Sequence, residues 1–185
     1  MSEQLPRLIF LIGFMGSGKT HEGELLAEHL GLPFIDLDHW IEEQEGRTIS
    51  EIFKTEGEYS FRNIEAAALQ HAASNLLKKG DSGIGSANFV GIISTGGGTP
   101  CFHGNIDWMN DNGVTVWLNL PIELLVKRLS KETSKRPLIS SLKEDELYHF
   151  IEKKLEERRP YYSKSNITIN EEIDSITLTQ KIINA

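Results

Sequence analysis

The feature that most constrains the fold lies near the start of the chain, where a short apolar run leads into a turn rich in glycine. Residues 8–12 read Leu-Ile-Phe-Leu-Ile, which is typical of a buried strand, and residues 13–20 read Gly-Phe-Met-Gly-Ser-Gly-Lys-Thr. Apolar residues at helical spacing follow over residues 25–30. A strand, a turn of this pattern and a helix in this order predict a phosphate-binding loop, called the phosphate loop below (residues 13–20).

The binding of phosphate by such a loop has a local physical reason. Glycines let successive backbone N–H groups point into one hollow at a helix N-terminus, where the unpaired N–H groups and the helix dipole favour an anion. Lys19 adds a positive charge for the β and γ phosphates, and Thr20 offers a hydroxyl to Mg²⁺. The alternative, a glycine-rich turn that binds nothing, is disfavoured because the strand and the helix are both present. We expect the nucleotide to be held by Gly16, Ser17, Gly18, Lys19 and Thr20.

Composition limits the classes of protein to which this chain can belong. Its 185 residues suit one domain, residues 1–185, and its net charge is −8 at pH 7. An acidic chain is a poor general binder of nucleic acid or anionic membrane, so we expect neither as a partner. One cysteine excludes an internal disulfide and fits a reducing compartment, and no apolar run reaches membrane-spanning length. We therefore expect a cytoplasmic protein, and nothing in the sequence demands more than a monomer.

Strand patterns and helix patterns alternate along the chain. We predict strands at about residues 8–12, 33–36, 90–95, 114–118 and 167–169, and helices at about 19–30, 38–45, 51–54, 59–78, 121–129, 144–159 and 174–183. Ser50 is the expected cap of the short helix at 51–54, and residues 79–88 are the expected loop. This alternation predicts a three-layer α/β/α fold around a five-stranded parallel sheet, with ligands beyond the C-terminal ends of the strands.

Two carboxylates follow the second predicted strand. Asp36 and Asp38 would lie on one side of an extended segment, because side chains alternate along a strand. One carboxylate could then orient Mg²⁺ through water while the other accepts the proton of a substrate hydroxyl. The alternative is a surface turn in which Asp38 caps a helix, and the pattern alone does not choose between the two.

Three further motifs are candidates for contact with a ligand. Arg62 and Glu65, one helical turn apart, form either an exposed ion pair of little energetic value or a support that holds the guanidinium for bidentate contact with an anion. Residues 96–98, the glycine triplet, follow a strand where one glycine would suffice, which indicates that a ligand approaches bare backbone. Arg136, in the polar segment 131–142, belongs either to a solvated basic turn or to a lid that closes on phosphate.

Two single residues have ordinary interpretations of their own. Arg158 lies near the end of a predicted helix, where a cation is a usual partner of the helix dipole. Cys101 follows the glycine triplet, and we interpret it as a small packing residue rather than a reactive thiol, because nothing obvious lowers its pKa.

In this order and over nearly the whole chain, the motifs resemble those of the shikimate kinases, a P-loop family related to the nucleoside monophosphate kinases. The resemblance rests on the phosphate loop, Asp36-x-Asp38, Ile41-Glu42, Gly46, Ile52-Phe53, Gly57-Glu58, Phe61-Arg62, Glu65, the glycine triplet, Arg136-Pro137-Leu138 and Glu157-Arg158-x-Pro160-x-Tyr162. It implies ATP-dependent phosphorylation of the shikimate 3-hydroxyl with Mg²⁺, a step toward chorismate and the aromatic amino acids. It also implies a P-loop NTPase fold with a mobile lid at about residues 131–142 and a substrate-binding helical region at about residues 38–65.

On the acceptor side, the resemblance implies a role for five residues. Asp38 would hold the shikimate hydroxyls and is the candidate base. Arg62 and Arg158 would clamp the carboxylate of the substrate. Gly97 and Gly98 would contact the ring through their backbone.

On the nucleotide side, the resemblance implies that Arg136 is the lid arginine, close to both phosphate and substrate. Arg128 would stack on adenine, Thr20 would ligate Mg²⁺ directly, and Asp36 would do so through water. Because the transition state spreads charge over the γ-phosphoryl oxygens, we expect Lys19, Mg²⁺, backbone N–H groups and Arg136 to contribute mostly electrostatic stabilisation.

Two departures and two alternatives accompany this interpretation. The family usually has a basic residue where this chain has Glu24, and the segment 79–88 is longer than usual. A related small-molecule kinase, such as a gluconate kinase, would share the phosphate loop and the lid but should lack the acceptor motifs. A binding or regulatory protein without turnover is disfavoured, because both sides of the site look complete.

Overall fold

The computed structural model of the chain describes residues 7–79, 88–131 and 142–184. Within these ranges the strands are β1 (Arg7–Gly13), β2 (Phe34–Asp36), β3 (Phe89–Ser94), β4 (Gly113–Leu118) and β5 (Ile167–Ile169). The helices are α1 (Lys19–Leu30), α2 (Leu37–Glu45), α3 (Ile49–Lys79), α4 (Asn105–Asn112), α5 (Ile122–Leu129), α6 (Glu144–Tyr162) and α7 (Ser175–Ile183), and a 3₁₀ turn spans Thr99–Cys101. Residues 80–87 and 132–141, which hold most of the expected loop and lid together with Arg136, lie outside the described residues.

The five strands form one parallel sheet in the order β2-β3-β1-β4-β5. The central strand β1 contributes to two separate cores, because its side chains alternate between the two faces of the sheet. Leu8, Phe10 and Ile12 pack in a core with α2 to α6, whereas Ile9 and Leu11 pack with α1 and α7. The predicted three-layer α/β/α architecture with a five-stranded parallel sheet is therefore confirmed.

The structure corrects one predicted helix cap. The start of α3 is capped by Thr48, not by Ser50 as predicted. The Thr48 hydroxyl accepts a hydrogen bond from Glu51 N at 3.2 Å, and Glu51 Oε2 accepts one from Thr48 N at 2.8 Å. This reciprocal pair requires a glutamate three residues after the cap, a spacing that fits Thr48 and not Ser50.

Two further differences concern helices. The predicted helices 51–54 and 59–78 are both parts of α3, which is interrupted at Gly57, where φ is 80° and ψ is 174°. Helix α4 was not predicted, because its sequence Asn-Ile-Asp-Trp-Met-Asn-Asp-Asn consists mostly of weak helix formers. Among the helices of the described ranges, none combines the length and apolar character that crossing a membrane requires.

The order of the strands brings three turns to one edge of the sheet. β1 leads into the phosphate loop, β2 ends at Asp36, and β3 leads into the glycine triplet. Since β2, β3 and β1 are neighbours and parallel, the segments that follow them all start from the same edge. Motifs that are far apart in the sequence therefore meet at this edge.

Candidate active site

A cleft of about 540 Å³ lies over this edge of the sheet. Its lining includes Gly16, Gly18, Lys19, Thr20, Asp36, Asp38, Gly96, Gly97 and Arg128. Residues from both predicted halves of the site, the phosphate loop and the acceptor motifs, thus line one cavity.

The backbone of the phosphate loop has the form that the sequence predicts. Gly16 and Gly18 have φ values of 79° and 92°, a left-handed conformation that side chains disfavour. Gly18 caps α1 and offers no side-chain acceptor to the N–H groups of the first helical turn, which an anion can contact instead. Lys19 is 9% exposed and its Nζ donates to Phe14 O at 3.1 Å, so the ammonium group is held against the loop.

Asp36 and Asp38 both reach the cleft, but not for the reason that the sequence suggested. The segment is not extended at Asp38, which lies in the first turn of α2, and the cap of this helix is Asp36 rather than Asp38. Asp36 Oδ1 accepts hydrogen bonds from the backbone N–H groups of Asp38 (3.1 Å) and His39 (3.2 Å). Asp36 Oδ2 accepts one from Thr20 Oγ1 at 2.7 Å, which joins α1 to the start of α2.

Asp38 is exposed to solvent through the cleft, but protein atoms lie close around its carboxyl group and limit its hydration. This desolvation raises its pKa to about 6, the negative charges of Asp36 and Glu65 add to the rise, and Lys19 opposes it. A carboxylate with a pKa in this range is still largely ionised at pH 7 and accepts a proton more readily than an ordinary aspartate. Asp38 therefore has the electrostatics of a proton acceptor.

Arg62 takes part in a buried ion pair, so of the two alternatives for Arg62 and Glu65 the structure excludes the exposed pair. Its Nη1 donates to Glu65 Oε2 at 2.7 Å, and the two side chains are 11% and 1% exposed. A second carboxylate, Glu58, lies 3.1 Å from Nη2 and is mostly exposed. The Phe102 ring lies under the guanidinium, with 4.4 Å between Cζ and the ring centroid. These contacts fix the plane of the guanidinium.

The glycine triplet has a structural cause that the sequence did not reveal. A Cβ at Gly96 would lie 2.8 Å from Asp38 Oδ1 and 2.9 Å from Glu65 Oε1. At Gly98 a Cβ would lie 2.5 Å from both terminal nitrogens of Arg62. Polar side chains of the site thus fill the space that side chains at residues 96–98 would need.

Arg158 reaches the same triplet from α6. A Cβ at Gly97 would lie 2.9 Å from Arg158 Nη1, and the guanidinium lies over the Phe14 ring at 5.2 Å. Nη1 is buried and has no hydrogen-bond partner among the described residues. A buried guanidinium nitrogen without a partner provides a binding place for an anionic group. A cation that interacted only with the helix dipole would not provide such a place.

The comparisons with known proteins agree with the geometry. A sequence profile of the shikimate kinase family matches residues 15–185. A shikimate kinase from Bacteroides fragilis is 43% identical over 158 residues, which cover 85% of this chain and 81% of that protein. The chain belongs to the shikimate kinase family. The resemblance noted in the sequence is therefore confirmed.

Solved structures of shikimate kinases have the same fold. The crystal structure of the enzyme from Bacteroides thetaiotaomicron matches with a TM-score of 0.83 and 36% identity, covering 97% of this chain and 99% of that one. The shikimate kinase from Acinetobacter baumannii, solved in complex with shikimate, matches with a TM-score of 0.77 and 32% identity, covering 98% and 93% of the two chains.

Within this shikimate kinase fold, Arg128 lies beside the phosphate loop. Its Nη1 donates to Gly16 O at 3.0 Å, and its Nη2 pairs with Glu172 in the segment after β5. Cys101 is half-buried, and burial raises the pKa of its thiol to about 11, in agreement with its interpretation as a packing residue.

Sequence reasoning assigned no role to three residues that contact the acceptor side of this family member. Tyr162 donates to Gly97 O at 2.5 Å, and its position in the quoted Pro-x-Tyr motif could have drawn attention to it. Phe102 and Thr99 follow the glycine triplet, and no periodicity or motif distinguishes them. Their contacts with Arg62 and Glu65 depend on segments distant in the sequence.

Proposed function

We propose that this protein transfers the γ-phosphoryl group of ATP to the 3-hydroxyl of shikimate, forming shikimate 3-phosphate and ADP. The observation that carries the proposal is the meeting of Arg62 and Arg158 at the glycine triplet. Gly96 and Gly97 of this triplet line the same cleft as Asp38 and Lys19, whereas the two arginines lie behind that lining. Membership of the shikimate kinase family and the likeness to a relative solved with shikimate support the same substrate.

The acceptor side suits a small carboxylated polyol. Shikimate carries one carboxylate and vicinal hydroxyls, and Arg62 and Arg158 can bind the carboxylate through charge-assisted hydrogen bonds. The buried Nη1 of Arg158 lacks a partner among the described residues, and a substrate carboxylate would supply one. Gly97 and Gly98 would contact the ring through their backbone, since side chains there would collide with the arginines.

The nucleotide side suits ATP with Mg²⁺. Thr20 Oγ1 and Asp36 Oδ2, 2.7 Å apart, are the hard oxygen donors that Mg²⁺ prefers, and Thr20 would bind it directly and Asp36 through water. The described residues contain no cluster of three His, Cys, Asp or Glu side chains able to hold a metal alone, so phosphate and water must complete the ligand set. When bound, Mg²⁺ neutralises charge on the phosphate oxygens.

In the transfer, Asp38 orients the 3-hydroxyl and accepts its proton as the oxygen attacks the γ-phosphorus. Lys19 and the N–H groups at the start of α1 stabilise the charge that spreads over the phosphoryl oxygens. Arg128 would stack on adenine from its position beside Gly16. Arg136 would add a further positive charge from the lid; it lies outside the described residues, and its role rests on the family resemblance.

The same proposal extends to the layout of the chain. Residues 1–185 would act as one domain, in which the helical region at about residues 38–65 surrounds the substrate. The segment at about residues 131–142 would act as the lid, and most of it lies outside the described residues.

A steady-state assay of ADP release with shikimate, gluconate and nucleoside monophosphates tests the proposal. We expect turnover with shikimate, and none with the other acceptors. Turnover with gluconate or a nucleoside monophosphate, but not with shikimate, would reject shikimate as the substrate. ATP binding without any phosphorylated product would favour a binding protein instead.

A further inference from the structure

Behind the glycine triplet, buried polar groups form a chain of hydrogen bonds that the proposed reaction does not use directly. Asn105 Nδ2 donates to Thr99 O at 2.9 Å, and Thr99 Oγ1 donates to Glu65 Oε1 at 2.6 Å. Glu65 Oε2 in turn accepts from Arg62 Nη1 at 2.7 Å. We propose that Thr99 is a positioning residue for the acceptor substrate: its hydroxyl holds Glu65, and Glu65 holds Arg62 in the orientation that binds the substrate carboxylate.

The Glu65 carboxylate needs two donors to remain where it is. It is 1% exposed, so water cannot replace a missing hydrogen bond, and Arg62 occupies only one of its oxygens. The other oxygen lies near Asp38, because Glu65 Oε1 and Asp38 Oδ1 are both within 2.9 Å of one point, the position of a Cβ on Gly96, and the Glu65 charge contributes to the raised pKa of Asp38. Without the Thr99 hydroxyl, an unpaired and buried carboxylate oxygen would lie near another carboxylate, and Glu65 would be expected to rotate.

The position of Thr99 is itself fixed. Thr99 is fully buried at the start of the 3₁₀ turn, and its backbone N–H donates to Gly96 O at 3.2 Å. Asn105, 2% exposed, holds the Thr99 carbonyl from α4. The 3₁₀ turn therefore holds the Thr99 hydroxyl in a position from which it contacts Glu65 in α3.

Arg62 depends on Glu65 more than on its other carboxylate partner. The Glu58 side chain is 60% exposed, and an ion pair of that kind contributes little to the orientation of its partners. Bidentate recognition of a carboxylate requires the guanidinium fork to lie in a particular plane. A rotation of Glu65 would therefore weaken substrate binding without changing the nucleotide side.

The inference rests on the proposed function, and kinetics of Thr99→Val and Thr99→Ser test it. In Thr99→Val we expect the KM for shikimate to rise about tenfold or more, which is the size of effect expected when a buried hydrogen bond to a charged group is lost. The KM for ATP should stay unchanged, and Thr99→Ser should restore the wild-type KM for shikimate. Thr179→Val is the matched control, because Thr179 is buried in α7 and its hydroxyl donates to Ser175 O at 2.7 Å, one turn earlier in the same helix.

A double-mutant cycle tests whether Thr99 acts on shikimate binding through Arg62. In an Arg62→Ala background, Thr99→Val should raise the KM for shikimate no further, because the residue through which Thr99 acts is already absent. An equal rise in both backgrounds would overturn the inference, as would an unchanged KM in Thr99→Val. If Thr99→Val gives too little folded protein, Thr99→Ala removes the same hydroxyl without a branched replacement, with the same expected rise.

The proposed function and the proposed role of Thr99 can be overturned separately. A wild-type protein that does not phosphorylate shikimate overturns the proposed function. A wild-type protein that does so, with a raised KM in Arg62→Ala but not in Thr99→Val, overturns only the role of Thr99.

Discussion

The two sides of the cleft are built in different ways. On the nucleotide side, one continuous segment of eight residues supplies glycines with left-handed backbone, the N-terminus of α1 and Lys19. On the acceptor side, the groups come from α2, α3, the glycine triplet and α6, and buried hydrogen bonds and ring contacts hold them in place. The nucleotide side is therefore local and made largely of backbone, whereas the acceptor side is assembled from distant side chains.

This difference has a consequence for mutational effects. A change at Lys19 should act mainly on phosphoryl transfer. Phe14 is an exception within the phosphate loop, because its ring lies under the Arg158 guanidinium. A change on the acceptor side should spread to neighbouring groups, since the carboxylates and guanidiniums there contact one another. Substitutions on each side of the cleft test this contrast.

Asp38→Asn should lower kcat about 10³-fold, because the amide keeps the shape of the side chain but removes the proton acceptor. ATP binding, measured by titration calorimetry, should persist. Asp107→Asn is the control, because Asp107 is exposed on α4 and pairs with Lys164. Wild-type turnover in Asp38→Asn would remove Asp38 from its proposed role.

Lys19→Met should lower kcat about 10²-fold, through the loss of a positive charge at the transferred phosphoryl group. The dissociation constant for shikimate should change little, because the two arginines proposed to bind its carboxylate remain. The loss of the Lys19 charge would raise the pKa of Asp38 further. Lys164→Met, on the surface, is the matched control. A strong loss of shikimate affinity in Lys19→Met would contradict the separation of the two sides.

Arg158→Ala should raise the KM for shikimate about 10- to 100-fold, the range for a lost charge-assisted hydrogen bond in a buried site. The KM for ATP should be unaffected. The adjacent Arg159 is exposed and provides the control Arg159→Ala. An unchanged KM in Arg158→Ala would count against the carboxylate clamp.

Gly98→Ala should raise the KM for shikimate by roughly tenfold, because the new Cβ would displace the Arg62 guanidinium, which we propose to bind the carboxylate. Its backbone φ of −93° is open to any residue, so the effect should be steric rather than conformational. Thermal unfolding would measure the stability of the variant separately. A normal KM in folded Gly98→Ala would mean that Arg62 can move without loss of binding.

The same contrast explains what the sequence could predict. The phosphate loop and the parallel sheet were predictable, because glycine spacing, apolar runs and capping signals are local. The juxtaposition of Asp36 and Asp38 was predicted with the wrong geometry, since the choice between strand and helix at Asp38 depends on the Asp36 cap. The contacts of Thr99 and Phe102 with α3 could not be predicted, because they exist only once β3 and α3 are packed together.

A crystal structure of the protein with ADP and shikimate would show whether the two sides act on one pair of ligands in one cleft. We expect the shikimate carboxylate to contact Arg62 and Arg158, with its 3-hydroxyl within hydrogen-bonding distance of Asp38 and directed toward the phosphate loop. Shikimate bound away from the glycine triplet, or with its 3-hydroxyl directed away from Lys19, would contradict the account.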